Sequence, residues 1–196
     1  EPVSDSELRV ALVQVLAARA ACELEREHSL SRLKVQATTD DLTGLLNRRG
    51  FNAVATAKFH GAGRSDQRLY FVAFDLNSFK AVNDSYGHSI GDAVLVAFAH
   101  SLIAGFTRCS DVLARVGGDE FVALVNAADR EEVERIAMQV QSKFSRTAVS
   151  TPLDEVFGAC SFGIAEHDEH DRVFEALAAR ADAALYSAKP KTRPGR

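Results

Sequence analysis

The sequence predicts an α/β protein of the α+β type, in which a central mixed, largely antiparallel sheet is flanked by helices and preceded by a long N-terminal helix. Segments rich in β-forming residues alternate with segments whose apolar residues recur at helical spacing. In the middle of the chain, two short apolar runs flank a Gly-Gly pair, as the two arms of a hairpin do. A hairpin among alternating strands and helices favours a mixed sheet over a purely parallel one.

The first 37 residues are predicted to form a unit of their own. Residues 5–37 contain no glycine or proline, and apolar residues such as Leu8, Leu12 and Leu16 recur at helical spacing, which predicts one long helix. Such a helix has little to bury its apolar stripe against in its own chain, which favours pairing with a second copy. A solvated helix, or one folded back on the domain, is the alternative. We therefore divide the chain into a signalling or coiled-coil helix (1–37) and a globular domain (38–196).

The globular domain is predicted to begin at the polar stretch that follows this helix. Thr39 or Asp40 is suited to cap a new helix, and Gly44 permits a tight turn. Strands are predicted over 68–76, 111–116, 121–125 and 156–166, and helices over 91–106, 129–144 and 172–189.

Composition limits the function classes. Hydrophobic residues make up 46% of the chain and charged residues 26%, which is typical of a globular protein. The net charge of −4 predicts no broad nucleic-acid interface. We expect no membrane contact within this segment, because no apolar run approaches a bilayer's thickness. Three cysteines without a CxxC pair indicate neither disulfides nor zinc, so we expect a cytoplasmic protein or the cytoplasmic part of a longer sensory protein.

Carboxylates cluster where predicted strands end. Asp75 ends the strand over 68–76, and Asp119 and Glu120 lie on the hairpin turn, so adjacent strands would bring them together. Because such carboxylates repel one another, a cation is expected between them, and an oxygen-only donor set favours Mg²⁺ or Mn²⁺. Gly117 and Gly118 lack side chains that would keep a ligand from the turn. A plain hairpin turn is the alternative.

The segment 75–92 adds the groups that a nucleotide needs. Lys80 supplies a cation for a phosphate. Asn83, His88 and Asp92 add polar groups, and an amide with a carboxylate matches the acceptor and donors on guanine's edge. Each residue also has a structural explanation, such as a helix cap at Asp92, but their coincidence beside an acidic turn favours a guanine nucleotide site.

Five motifs in order resemble the GGDEF domain of diguanylate cyclases. They read DDLTGLLNRRGF, DLNSFKAVNDSYGHSIGD, RVGGDEF, CSFGIAE and ADAALYSAK, and the resemblance covers roughly residues 38–193. It implies synthesis of cyclic di-GMP from two GTP with release of two pyrophosphates. It also implies a fold similar to nucleotide cyclase and polymerase palm domains.

The resemblance also implies a role for each site residue. Asp75, the carbonyl of Leu76 and Asp119 would hold the metal, Asp119 or Glu120 would assist deprotonation of the attacking 3′-hydroxyl, and Lys80 would stabilise phosphate charge. The expected substrate-binding residues are Asn83, His88 and Asp92 for guanine and ribose, Gly117 and Gly118 at the turn, and Lys189 and Arg193 for the distal phosphates. Pro190 sits between the last two, and Asn77 stands where the family often has a second Asp.

Two further expectations concern assembly and regulation. Each 3′-hydroxyl must reach the other nucleotide's α-phosphate, so two sites must face each other and the active species is expected to be a homodimer. Arg108 and Asp111 resemble the family's RxxD motif, which implies an allosteric site for cyclic di-GMP as product and inhibitor. The alternative function is a catalytically weak module that binds GTP or cyclic di-GMP as a sensor.

Overall fold

The computed structural model describes residues 19–28, 35–62, 68–151 and 154–190. Two compact units are present, Glu1–Ala37 and Thr38–Arg196. In the first unit, residues 19–28 and 35–37 are helical and their side chains are exposed. The rest of the helix predicted over 5–37, namely residues 5–18 and 29–34, lies outside the described residues. Its pairing with a second copy stays a prediction.

The second unit alternates strands and helices, which we number within this unit. The strands are β1 (Leu46–Asn47), β2 (Arg68–Leu76), β3 (Val112–Arg115), β4 (Glu120–Ala127), β5 (Ala148–Ser150), β6 (Glu155–Phe157) and β7 (Cys160–Glu166). The helices are α1 (Arg48–Gly61), α2 (Phe79–Tyr86), α3 (His88–Gly105), α4 (Arg130–Phe144) and α5 (Phe174–Ala188).

A five-stranded sheet in the order β1-β3-β4-β2-β7 organises the domain. Its pairs are antiparallel except for β1 with β3, which run parallel. Strands β5 and β6 form a separate two-stranded ribbon. The predicted class, a mixed and largely antiparallel sheet flanked by helices, is confirmed.

Alternation along the central strand β2 separates two cores. Tyr70, Val72 and Phe74 face one core, which α3 and α4 cover with side chains such as Phe98 and Phe144. The intervening residues of β2 face the other core, which α1 and α5 cover: in this core Leu69, Phe71 and Ala73 pack with Phe51, Phe59 and Leu177. By the same alternation, Asp75 lies on the face of the sheet that α1 and α5 cover.

Among the helices in the described residues, α3 alone is long and apolar enough to cross a membrane by length and composition. Its buried residues, among them Val94, Leu95, Phe98 and Leu102, belong to the first core. The apolar character of α3 is therefore explained by packing on the sheet.

The start of the domain differs from its prediction. Neither Thr39 nor Asp40 caps a helix: Asn47 is the N-cap of α1, and its side-chain oxygen accepts from the Gly50 N–H at 2.9 Å. The Asp40 carboxylate instead accepts from the Thr43 N–H at 2.9 Å, which closes a turn. Gly44 does lie in the left-handed region, at φ 72°, so the tight turn predicted there is confirmed.

The single strand predicted over 156–166 is wrong, because the chain breaks into β6 and β7 at residues 158–159. The ring of Phe144 fills the space beside Gly158, where an added Cβ would come within 2.0 Å of Phe144 Cζ. The other strand predictions agree closely, and β2 has the predicted bounds. Strands β1 and β5 are too short to show an alternating pattern, and the sequence analysis did not predict them.

The approach of α5 to the sheet depends on Gly163. An added Cβ there would come within 2.2 Å of the Ala181 carbonyl oxygen and of the Leu185 nitrogen, both of which are backbone atoms. We therefore expect Gly163→Ala to lower the free energy of unfolding by about 1–3 kcal/mol, because the helix must move away from β7.

Chemical denaturation measures this effect, with Gly61→Ala as the control. Gly61 lies in the last turn of α1 with nothing within 4 Å of an added Cβ. Equal stability of the two variants would contradict the role of Gly163.

Candidate functional site

The register of β2 against β4 forms the acidic corner of the sheet. Asp75 and Glu120 form the last residue pair of β2 with β4, so Asp75 lies directly opposite the first residue of β4. On its other side Asp75 lies opposite Ser161 of β7. Because cross-strand partners share a face, these three side chains emerge on the same side of the sheet. The corner thus brings together two carboxylates from segments 45 residues apart in the chain.

The turn between β3 and β4 carries the third acidic residue. Asp119 immediately precedes Glu120, and its backbone carbonyl accepts from the Leu76 N–H at 3.3 Å. The Val116 N–H donates to the Glu120 carbonyl at 2.9 Å and closes the turn. The structure therefore places Asp75, Leu76, Asp119 and Glu120 at one corner.

The two glycines of the turn differ in what surrounds them. An added Cβ at Gly117 would come within 2.2 Å of Glu120 Oε2, whereas one at Gly118 would meet nothing within 4 Å. Neither glycine has a positive φ; among the described glycines only Gly44 and Gly87 do. Gly117 therefore makes room for the Glu120 carboxylate, and Gly118 is the one that leaves open space for a ligand.

Lys189 reaches the acidic corner from the end of α5. The helix ends at Ala188, and Lys189 leaves the helical conformation with φ −62° and ψ 138°. Its ammonium Nζ lies 2.8 Å from Asp75 Oδ2. Pro190 thus stops the helix without keeping Lys189 from the site. Arg193, the other basic residue expected at the phosphates, lies outside the described residues.

An arginine that the sequence analysis did not single out holds the turn. Arg115, the last residue of β3, donates to the Gly118 carbonyl oxygen from Nε at 3.1 Å and from an Nη at 2.8 Å. The same guanidinium lies 3.3 Å from the Asp40 carboxylate, and both side chains are largely buried. Burial opposes ionisation of Asp40, but the hydrogen bonds from Thr43 and the charge of Arg115 outweigh it and lower the pKa of that carboxyl.

A second arginine holds the turn from α1. Arg48 donates from Nε to the Val116 carbonyl at 2.8 Å, and its guanidinium lies 3.7 Å from Glu120 Oε2. Both arginines lie within motifs quoted above, Arg48 in DDLTGLLNRRGF and Arg115 in RVGGDEF. Position in these motifs was their only sequence signal, since their partners lie on other elements or across the turn.

The residues expected to hold guanine lie at the corner between α2 and α3. The side-chain oxygen of Asn83 occupies the place where a Cβ on Gly91 would be, at 1.9 Å from that position. Asp92, which follows Gly91, is exposed, as are Lys80 and His88. The structure thus brings Asn83 against the turn of α3 that carries Asp92.

The backbone at both ends of α2 is unusual. Ser78, just before the helix, lies in the left-handed region with φ 58° and ψ 25°, the one non-glycine residue with positive φ among those described. Gly87 joins α2 to α3 with φ 84°. Left-handed backbone in a side-chain-bearing residue is found more often at ligand sites than elsewhere. Nearby, Asn77 accepts a hydrogen bond from the Ser161 hydroxyl at 2.9 Å, so it helps join β2 to β7.

The donor set at the acidic corner suits a hard cation. Within the described residues no three His, Cys, Asp or Glu side chains gather into a metal-binding group. The corner does offer the carboxylates of Asp75, Asp119 and Glu120 and backbone carbonyls, all of them oxygen ligands. Asp75 already binds a cation, the Lys189 ammonium. This chemistry fits Mg²⁺, which completes its shell with water and substrate phosphates.

Arg108 and Asp111 form a compact turn just before β3, at the end of that strand away from the acidic corner. The Arg108 N–H donates to Asp111 Oδ2 at 3.0 Å, and the Asp111 N–H donates to the Arg108 carbonyl at 2.9 Å. Asp111 Oδ1 is buried without a hydrogen-bond partner. Burial raises the pKa of Asp111, although Arg108 and Lys58 act in the other direction. A cavity of about 240 Å³ opens beside both residues.

The chain matches one family over most of its length. The family model described as the diguanylate cyclase GGDEF domain matches residues 37–194. The chain is 36% identical over 166 residues to the cyclic di-GMP phosphodiesterase PdeR of Escherichia coli (strain K12), an alignment that covers 84% of this chain and 24% of that protein. It is 31% identical over 163 residues to the probable diguanylate cyclase DgcC of the same strain, covering 83% of this chain and 43% of that protein.

A solved structure shares the fold. The coiled coil and GGDEF domain of DgcB from Caulobacter crescentus, crystallised in complex with c-di-GMP, superposes with a TM-score of 0.82 at 26% identity. The superposition covers 92% of this chain and 96% of that one. The chain spans less than half the length of the two curated relatives, so their names describe longer proteins.

The Arg115 contacts predict that this side chain fixes the turn. We expect Arg115→Ala to speed amide hydrogen exchange of residues 116–119 by about tenfold, because the Gly118 carbonyl loses both donors. Exchange followed by mass spectrometry measures this, with Arg49→Ala on the exposed first turn of α1 as the control. Equal exchange in the two variants would show that the turn does not depend on Arg115.

The lowered pKa of Asp40 predicts how the same contact responds to pH. Because the folded-state pKa lies below the ordinary 3.8, Asp40 stabilises the fold above that value. We expect Asp40→Asn to be less stable than the unsubstituted chain at pH 7, and the difference to shrink as the pH falls through the lowered pKa. Thermal unfolding at a series of pH values checks this, and a difference that stays constant into acid would contradict it.

Proposed function

Because the chain belongs to the GGDEF domain family, we propose that it is a diguanylate cyclase that condenses two GTP into cyclic di-GMP and two pyrophosphates. The observation that supports this most is the acidic corner, where the β2–β4 register sets Asp75 opposite Glu120 and the turn adds Asp119. Lys189 lies at the same corner. A reaction that consumes GTP also favours a cytoplasmic location.

The proposed mechanism relies on positioning and charge. The 3′-hydroxyl of one GTP attacks the α-phosphate of the other, its O–H proton passes to a carboxylate, and the bond to pyrophosphate breaks. Asp75, Asp119 and the carbonyl of Leu76 would hold Mg²⁺ or Mn²⁺, which supplies positive charge to the phosphates when bound. Asp119 or Glu120 accepts the proton. Arg115 and Arg48 keep the turn that carries both residues in place.

The remaining site residues bind the nucleotide. Lys80 and Lys189 neutralise phosphate charge, with Arg193 assigned to the distal phosphates. Gly118 leaves space for the phosphates above the turn. Asn83 and Asp92 bind the guanine edge, and His88 lies beside them at the start of α3. An amide paired with a carboxylate favours guanine over adenine, because adenine would leave the carboxylate unpaired.

Two such domains must face each other for the ring of the cyclic dinucleotide to form. One site holds one GTP, and each hydroxyl attacks the nucleotide held by the facing site, so we propose a symmetric homodimer. The segment 1–37, which the sequence predicts to be one long helix, would bring two copies together. We also propose that cyclic di-GMP inhibits the enzyme by binding at Arg108 and Asp111.

The alternative of a sensor that binds GTP or cyclic di-GMP without turnover has one point in its favour. The relative PdeR is named a phosphodiesterase, so matching this family does not by itself mean that the matched protein is named a cyclase. The complete set Asp75, Lys80, Asp119 and Glu120 favours turnover in this chain.

One assay separates these functions. Incubation of the full chain with GTP and Mg²⁺ should yield cyclic di-GMP, and Asp75→Asn and Asp119→Ala should each reduce the rate by at least about a hundredfold, because a ligand of the cation is lost. Chromatography of the nucleotides measures the product. Asp84→Asn, which removes an exposed carboxylate from α2, is the control and should keep full activity. GTP binding without product would support the sensor, and neither binding nor product would reject both.

The packing of Asn83 on Gly91 predicts a change in GTP affinity. An added methyl group would displace the Asn83 side chain, so we expect Gly91→Ala to raise the KM for GTP by about tenfold, equivalent to one lost hydrogen bond. Alanine suits the helix, so thermal stability should be kept. Ser89→Ala on the exposed first turn of α3 is the control, and an equal KM in both variants would argue against guanine recognition by Asn83.

A further inference from the structure

The guanidinium of Arg108 is already bound within the chain. One Nη donates to the Asn126 carbonyl oxygen at 2.7 Å, and the other lies 2.5 Å from Glu132 Oε1. Glu132 belongs to the first turn of α4, a different element from the Arg108 turn. The Arg108 guanidinium, which we propose binds cyclic di-GMP, is therefore paired with a carboxylate of the same chain at the position that a phosphate would take.

The position of Glu132 is fixed by the cap of α4. Its other oxygen, Oε2, accepts from the Ala128 N–H at 3.0 Å, and its own N–H donates to Asp129 Oδ1, the N-cap, at 2.8 Å. The arrangement resembles a capping box, except that the Glu132 carboxylate binds the N–H of the residue before the N-cap. These two hydrogen bonds hold the Glu132 side chain in one orientation. The hydrogen bond from the Ala128 N–H is the main reason that the pKa of Glu132 lies below its ordinary value. The carboxylate is therefore charged and oriented toward Arg108 at neutral pH.

The cavity beside Arg108 and Asp111 is lined by charged and polar side chains. Arg108, Asp111, Asn126, Glu132, Arg135 and Gln139 all line it. At about 240 Å³ it is smaller than typical sites for drug-sized ligands, so it would take only part of a cyclic dinucleotide. Lys58 donates to the Asn126 side chain at 3.0 Å and interacts with Asp111, whereas Glu132 forms its ion pair with Arg108.

We propose that Glu132 competes with cyclic di-GMP for Arg108 and thereby sets the product concentration at which inhibition begins. A phosphate that binds Arg108 must displace the Glu132 carboxylate and then lie beside its negative charge, and both effects weaken product binding. The Arg108 side chain is 45% exposed and that of Glu132 20%, so the pair is moderate in strength and a ligand can break it. This inference rests on the proposed inhibition through Arg108 and Asp111.

Glu132→Gln tests the competition without removing the cap. A glutamine keeps one oxygen to accept from the Ala128 N–H, whereas its amide group no longer attracts Arg108. We expect Glu132→Gln to bind cyclic di-GMP about three- to tenfold more tightly and to be inhibited at correspondingly lower product concentrations. The initial rate in the absence of product should not change, because Glu132 is outside the proposed catalytic corner.

The measurement is calorimetric titration of the full chain with cyclic di-GMP, alongside inhibition of GTP turnover. Glu131→Gln is the matched control, since it removes the same charge from the exposed neighbouring position on the same helix. If both variants bind cyclic di-GMP more tightly by the same factor, the gain in affinity comes from net charge and the competition is overturned. Unchanged or weaker binding of cyclic di-GMP by Glu132→Gln would overturn it as well.

Arg108→Ala separates this inference from the proposed inhibition. If Arg108→Ala abolishes binding while Glu132→Gln binds like the unsubstituted chain, the regulatory site stands and the role of Glu132 falls. If the unsubstituted chain and Arg108→Ala bind product equally, or neither binds, the proposed inhibition falls and the competition with it. In the double variant Arg108→Ala with Glu132→Gln, the second change should have no further effect, because its partner is gone.

Discussion

The pairing register of β2 against β4 is the constraint on which the site depends. It sets Asp75 opposite Glu120 and puts Asp119 at the turn beside the end of β2. A shift of one residue would move Asp75 to the other face of the sheet, away from Lys189. The register is itself fixed by burial, since Phe74 and Phe121 pack in one core and Ala73 and Val122 in the other. Two well-packed cores thus hold two carboxylates together although they repel each other.

The acidic corner is supported from several directions. Arg115 and Arg48 bind carbonyl groups of the turn, and Gly163 lets α5 come close enough for Lys189 to reach Asp75. Asp40, whose carboxylate pairs with Arg115, lies three residues after Ala37, where the first unit ends. The turn that carries Asp119 is therefore connected through two side chains to the first residues of the domain.

The sequence predicted the parts of this structure that repeat along the chain and missed those that depend on single contacts. Alternation and helical spacing gave β2, α4 and the mixed sheet, because burial of one face imposes a period on the sequence. The break at Gly158 depends on the ring of Phe144, 14 residues away, so the apolar run over 156–166 gave no sign of it. The N-cap of α1 is Asn47, whereas the two residues that the sequence analysis named, Thr39 and Asp40, have side chains equally suited to capping.

The site shows the same division. Its acidic residues and lysines stand in motifs and were found from the sequence, whereas Arg115, Arg48 and Glu132 act through partners on other elements. Asp75 and Arg108, two of the charges proposed to meet a ligand, are each paired with a side chain from another element: Lys189 just after α5, and Glu132 in the first turn of α4. An unpaired charge in these partly buried places would cost more than a pair that solvent reaches. Partial exposure also keeps each pair weak enough for a ligand to replace one member, as the proposed binding of substrate and product requires.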